Sequence, residues 1–364
     1  MVVMPIPSAA GAPQSAEPSA VARWSASVRN LSDEDLGYGD LRGLELLRST
    51  LADYLGRARG VVCSPDQVLI TAGYTQGLGL VGQALVERGC QRIAVEDPSN
   101  PEDWEAMKRI GLEPVPVPVD ACGSRTDELE QSGAAAAVLT PAHQHPSGVV
   151  LSGERRTALL SWLREREAFA IEDDYDAEYR YDRAAIGALQ GLDPERVVYA
   201  GSLSKTLAPA LRIGWLALPP ALVEPVCAAR LRADRGSNAI EQHALADFLA
   251  RGELDRHMRR MRVGYRRRRD LVVEALARAL PEASVSGVAA GLHVVVSLPG
   301  DDEQAICAQA ARRRIQLETM NEYRWTPSER GAVLLLGYGR LPEPAIAVAI
   351  DELAGAVREA RAPG

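Results

Sequence analysis

The sequence predicts an α/β fold: a large, mostly parallel sheet covered by helices on both faces, followed by a smaller α+β region. Three observations carry this. Short apolar runs alternate with helix-length segments as far as Leu218, the pattern of strands buried on both faces. Gly73, His143, Asp173 and Ser202 fall just beyond the ends of such runs, where ligands sit in sheets of this kind. After Pro219 the spacing changes to long helices and then to mixed elements. A chain of 364 residues exceeds the usual size of a single core, so two closely packed domains are expected.

In order, Trp24–Leu36 reads as a short helix, and Leu44, Leu47, Leu51 and Leu55 give the next segment helical spacing. Val68–Thr71 is a buried strand, and Gln76–Glu87 a helix. Strands follow at Arg92–Val95, Leu112–Pro116, Ala135–Thr140, Phe169–Asp173, Val197–Ser202 and Ile213–Leu218. Helices lie between them at Pro101–Ile110 and Gly153–Glu167. Long helices then cover Ala221–Ala233, Ile240–Ala250 and Glu253–Leu280. The final part predicts strands at Leu292–Leu298 and Val333–Tyr338, with helices at Asp302–Arg313 and from Pro344. The divisions that follow are a flexible leader and N-terminal segment (1–31), a large domain (32–260) and a small C-terminal domain (261–364).

Composition narrows the function. A net charge of -8 argues against nucleic acid as the partner of this chain. The basic run around Arg259–Arg269 reads as the polar face of an amphipathic helix. Five scattered cysteines without a C-x-x-C pair predict reduced thiols and a cytoplasmic location. No apolar run is long enough to span a membrane, and the Pro/Ala/Ser-rich start lacks the form of a secretion signal.

Lysine usage is the sharpest chemical signal. The chain has 41 Lys+Arg, yet only Lys108 and Lys205 are lysines. An arginine cannot be deprotonated at useful pH, whereas a lysine can, and only a neutral amine attacks a carbonyl to make a Schiff base. Ser202 and Ser204 precede Lys205, and Arg212 follows it, a set that suits a phosphate beside the amine. Gly73-Tyr74-Thr75 at a helix start offers free N–H groups and a dipole to the same anion. Glu172-Asp173-Asp174-Tyr175-Asp176 ends a buried strand. Such a cluster reads as a metal site, a charge-paired base or a solvated turn. Beside Lys205 it also reads as the carboxylate and phenol that hold a pyridinium nitrogen and the ring's 3-oxygen.

These segments resemble the fold-type I pyridoxal-phosphate aminotransferases, and most closely the aminotransferase-like domain of MocR/GabR-type regulators. The matching stretches are Tyr38–Gly43, Thr71–Gln76, Glu96–Pro98, Thr140–Gly148, Glu172–Tyr181 and Ser202–Gly214. The resemblance implies a large domain with a mostly parallel seven-stranded sheet and a smaller α+β domain. It implies pyridoxal 5′-phosphate on Lys205 as a Schiff base, with Asp173 at the ring nitrogen and Tyr175 at the 3-oxygen. His143, Gln144 and His145 would line the ring, with Asn100 in the place of the stacking residue. Ser202, Ser204, Arg212 and the backbone of Gly73, Tyr74 and Thr75 would hold the phosphate. Tyr38 would reach the partner's phosphate, and Ser237-Asn238 would also come from the partner, giving a homodimer with shared sites. The implied reaction moves an amino group between an amine or amino acid and an oxo acid or aldehyde.

Three departures qualify this. Asn100 replaces the aromatic residue that stacks on the ring, with Trp104 one helical turn on. Leu335 stands where many such enzymes carry an arginine for the substrate carboxylate; Arg324 and Arg340 are the nearby substitutes. The winged-helix DNA-binding segment of the regulators has no counterpart before residue 24. The alternatives are an effector-sensing domain that binds the coenzyme without turnover, or a decarboxylase, racemase or cyclase on the same fold.

Overall fold

Parallel strands buried on both faces put the chain's reactive residues along one edge of a single sheet. The computed structural model describes residue 25 and residues 37–176, 178–181, 186–328 and 331–362. The expected leader and the helix over Trp24–Leu36 lie outside the described residues, residue 25 apart.

The large sheet has eight strands: β1 (Val68–Thr71), β2 (Arg92–Asp97), β3 (Glu113–Asp120), β4 (Gly123–Ser124), β5 (Ala136–Leu139), β6 (Phe169–Asp173), β7 (Val197–Ser202) and β8 (Gly214–Ala217). Their order is β1-β8-β7-β6-β5-β2-β3-β4. β3, β2, β5, β6 and β7 run parallel, while β8 is antiparallel to both β7 and β1. The strand beyond the seven expected is β4, two residues paired back on β3. It carries no apolar run for a sequence pattern to register.

Alternation along each strand separates two faces. Leu69, Val198 and Leu216 pack on one side against helices α2 (Tyr74–Glu87) and α6 (Pro220–Ala233). Their neighbours Ile70, Tyr199 and Trp215 pack on the other side with α1 (Glu45–Arg59) and α8 (Glu253–Ala279). Helix α3 (Pro101–Arg109) follows β2, the single turn α4 (Leu129–Ser132) precedes β5, and α5 (Gly153–Glu165) covers β5 and β6 through Leu159 and Leu163. Helix α7 (Ala239–Ala250) joins α6 to α8. Helix α8 runs unbroken through residues 260 and 261, where the sequence divides the chain.

A second, antiparallel sheet has the order β11-β12-β10-β9, from β9 (Ser284–Ser286), β10 (His293–Leu298), β11 (Glu318–Thr319) and β12 (Ala332–Gly337). Helices α9 (Glu303–Arg312) and α10 (Glu343–Arg361) cover one face, burying Ile306, Ile346 and Leu353 with Val296, Leu334 and Leu336. The opposite face carries Val295, Met320, Tyr323 and Leu335. Among the described residues no helix is long and apolar enough to cross a membrane.

Candidate functional site

The ends of β5, β6 and β7, the start of α2 and the loop before β8 meet the small sheet around a cavity of about 410 Å³, within the usual range for a small-molecule site. Asp173, Tyr175, Ser202, Ser204, Lys205 and Arg212 all line it, as do Tyr74, Thr75, Asn100 and His145. These residues are up to 138 positions apart in sequence, from Tyr74 to Arg212, and the sheet brings them together.

One corner is built for an anion. Helix α2 begins at Tyr74, two residues earlier than the spacing predicts, because Gly73 takes the cap position with φ 99°. The first amides of a helix have no partner within it and carry the positive end of its dipole. Arg212 sits beside them in the left-handed region (φ 49°), and its Nη2 donates to Ala72 O at 2.9 Å. A side chain on Gly73 would stand 2.9 Å from that same nitrogen. The Ser202 hydroxyl accepts from the Ser204 amide at 3.4 Å, and both serines face the cavity.

A second wall carries acid, phenol and amine. Burial raises the Asp173 carboxyl well above its ordinary value, the charges of Asp103, Asp174 and Asp176 add to this, and Lys205 opposes it. Burial lowers the Lys205 amine, against the pull of Asp176, Asp173 and Glu318. The Tyr175 hydroxyl meets His143 Nδ1 at 3.0 Å, and that nitrogen meets Asp176 Oδ2 at 2.9 Å. Burial, with Asp176 and Asp173 close by, keeps the Tyr175 phenol protonated.

His143 therefore orients Tyr175 from behind the wall, while His145 faces the cavity. His145 packs edge-on against Tyr175 (5.5 Å), His293 (5.6 Å) and Tyr323 (5.2 Å). Burial, helped by His293, Lys205 and His143, holds it uncharged. Gln144 is not brought to the cavity. Its amide donates to Glu96 Oε2 (3.2 Å) and Pro98 O (2.7 Å). Glu96, buried and raised by that burial, also takes hydrogen bonds from Ser124 and Thr140. This network fixes the ends of β2 and β5.

Asn100 caps α3 through Glu102 N at 3.2 Å and lines the cavity. Trp104 lines it too, with Nε1 on Ser99 Oγ at 2.7 Å and its ring 5.0 Å from Trp325, so it packs and faces the site at once. Tyr38 stands 99% exposed, away from this cavity. Ser237 receives Arg230 at 2.5 Å and Asn238 caps α7; both serve their own chain. Arg340 is exposed, Arg324 holds Asn321 at 3.4 Å, and neither lines the cavity. Sequence reasoning missed Asp103, His293, Glu322 and Tyr323, all of which do. Asp103 accepts from the Tyr74 hydroxyl at 3.3 Å, and burial raises it to about 7. Its place one turn after the cap Asn100 was the available signal.

Comparison with known proteins identifies the family and the fold. The family model described as aminotransferase class I and II matches residues 9–331. An uncharacterized HTH-type transcriptional regulator of Bacillus subtilis, YhdI, is 35% identical, the match covering 86% of this chain and 67% of that protein. The pyridoxine biosynthesis regulator PdxR of Corynebacterium glutamicum is 31% identical over 92% of this chain and 72% of its own. Among solved structures, an archaeal alanine:glyoxylate aminotransferase superposes with a TM-score of 0.86 at 28% identity, covering 96% of this chain and 90% of that one.

Proposed function

The chain belongs to the aminotransferase class I and II family, whose coenzyme is pyridoxal 5′-phosphate, and from that premise we propose that it turns over as an aminotransferase. It would move an amino group between an amine or amino acid and an oxo acid or aldehyde. The observation that carries this is one cavity lined by Lys205, Asp173, Tyr175 and Arg212, with Gly73 packed against the Arg212 guanidinium. That donor set fits the coenzyme. A glycine cradle, free helix amides, two serines and a guanidinium suit its phosphate. A carboxylate raised by burial finds in the ring nitrogen the cation it lacks.

When bound, the coenzyme supplies an electron sink for the bond broken at the substrate's α-carbon. Asp173 would keep the ring nitrogen protonated, and Tyr175, oriented by His143 and Asp176, would hold the 3-oxygen. Lys205 would be the covalent anchor. Burial makes its amine a weaker base than a solvated lysine, which suits Nζ to take and return a proton at the α-carbon. His145 and His293, kept neutral, close the wall and exclude water without adding charge.

Tyr38, fully exposed on one chain, would complete the phosphate corner of a partner, so the working unit would be a homodimer. Mixing Tyr38→Phe with Lys205→Ala chains tests this: hybrid dimers keep one intact site, so activity above that of either variant supports sharing, and simple averaging refutes it. The cysteines, free among the described residues, suit the reducing cytoplasm.

The test of the main reading is to load the chain with the coenzyme, fix it with borohydride, and offer amines and amino acids with an oxo acid. Label on Lys205 together with conversion of the coenzyme to its amine form supports transamination. A second reading, an effector-binding domain without turnover, is favoured by Leu335 in place of a carboxylate-binding arginine and by the regulator relatives. Ligand-induced spectral change with no amine form and no product would establish it instead.

A further inference from the structure

The face of the small sheet that presents His293 to the cavity and packs on Tyr323 carries one buried carboxyl, Glu318, and among the described residues neither lysine nor arginine. Leu335 on β12 lies directly across from Glu318 on β11, and directly opposed residues share a face. Leu334 and Leu336 turn into the main core, whereas Leu335 packs with Val295, Met320 and Tyr323, the last of which lines the cavity. Glu318 is only 3% exposed and stands behind Tyr323 rather than among the residues that line the cavity. Its Oε2 accepts from the Tyr323 hydroxyl at 3.1 Å, and its Oε1 is buried with no hydrogen-bond partner. An orphaned, buried carboxylate oxygen is costly unless a donor arrives. Burial raises this carboxyl to about 7, and the Lys205 charge opposes the rise, so a cation placed nearby favours its ionised form.

The remaining charges point the same way. Among the described lining residues the charged cations are Lys205 and Arg212, both assigned to the coenzyme above. His293 is lowered by burial to about 4, and His145 is likewise neutral. Glu102, Asp103 and Glu322 line the same space. No described lining group is left to clamp a substrate carboxylate, while Glu318 Oε1 awaits a donor.

Resting on the aminotransferase reading, we infer that the site takes a primary amine that bears a second ammonium group and no α-carboxylate, a diamine, with Glu318 receiving the far ammonium. Glu318 thereby determines specificity, where Leu335 has removed the means of holding an amino acid.

The experiment uses the coenzyme-loaded chain, titrated with putrescine, butylamine and L-alanine. Binding is read from the coenzyme's visible absorption and, independently, by calorimetry. Putrescine should bind at least about tenfold more tightly than butylamine, a difference of about 1.4 kcal/mol, with alanine weakest. Glu318→Gln should erase the putrescine advantage and leave butylamine unchanged. Leu335→Arg, a second variant that leaves Glu318 in place, should lose putrescine and gain alanine. Equal affinity for putrescine and butylamine, tighter binding of alanine, or an advantage that survives Glu318→Gln overturns the inference. Failure of borohydride to fix the coenzyme on Lys205 overturns instead the reading on which it rests.

Discussion

Gly73 and Arg212 share one corner of the cavity so closely that a β-carbon on the glycine would stand 2.9 Å from the guanidinium Nη2. That nitrogen donates to Ala72 O, a hydrogen bond that an added β-carbon would break by pushing the exposed guanidinium aside. The glycine's φ of 99° is itself hard for other residues to adopt.

Gly73→Ala should therefore fail twice, through backbone strain of about 1–3 kcal/mol and through displacement of Arg212. The expected result is coenzyme affinity reduced about tenfold or more, with a lower unfolding midpoint. Equilibrium dialysis of the coenzyme and urea denaturation check both. An unchanged coenzyme affinity would mean that the corner does not hold the phosphate.

The two lysines provide an internal comparison. Lys108 is exposed and paired with Glu105 at 2.8 Å, whereas the Lys205 amine is lowered by burial and faces the cavity. Only the neutral amine attacks an aldehyde. In the coenzyme-free chain near pH 7, limiting formaldehyde with a mild borohydride should methylate Lys205 ahead of Lys108, as read by peptide mass spectrometry. The preference should shrink as pH rises. Equal labelling at neutral pH would remove the case for an activated Lys205.

Most of the scaffold is legible in the sequence because parallel strands with two buried faces read as unbroken apolar runs. Asp173, Ser202 and Lys205 could be found because they follow such runs directly. Elements held by pairing rather than by local pattern were not legible: β4, β9 and β11 have two or three residues each. The start of α2 was placed late because Gly73 caps it without a side-chain bond. Gln144 shares its motif with His145, yet faces Glu96 instead of the cavity. Glu318 could not be singled out, since its meaning comes from lying opposite Leu335 across a sheet. Asp103 likewise is raised by burial, a rise that its hydrogen bond from Tyr74, twenty-nine positions away, opposes.

Arg59 and Asp174 form an ion pair of 2.6 Å with side chains 0% and 1% exposed. Tyr199 donates to the same carboxylate oxygen at 2.8 Å, and the Asp174 amide donates to Ala200 O at 3.0 Å. Together they pin the residue that follows Asp173. Arg59→Leu strands a buried carboxylate and should cost about 3–5 kcal/mol, while adding Asp174→Leu should recover much of that loss. Chemical denaturation of the two variants measures the difference. A single variant as stable as the parent would show that the pair contributes little.

The raised carboxyl of Glu318 gives the coenzyme-free chain a defined pH signature. Its folded value of about 7 lies above the ordinary 4.5, so the folded state holds this proton more tightly than the unfolded chain. The group's contribution is intact below about pH 4.5 and is lost as pH rises through 7. Glu318→Gln keeps the shape, retains an acceptor for Tyr323, and cannot ionise. Its stability relative to the parent should be near zero difference at about pH 4.5 and should grow to about 1–2 kcal/mol by pH 8, a figure discounted for solvent screening. Asp103 and Glu172, also raised to about 7, titrate in both proteins and largely cancel. Urea unfolding of the two coenzyme-free proteins across this range decides it: a difference independent of pH would place the Glu318 carboxyl in ordinary solvent, and a difference of opposite sign would mean that a cation already pairs with it.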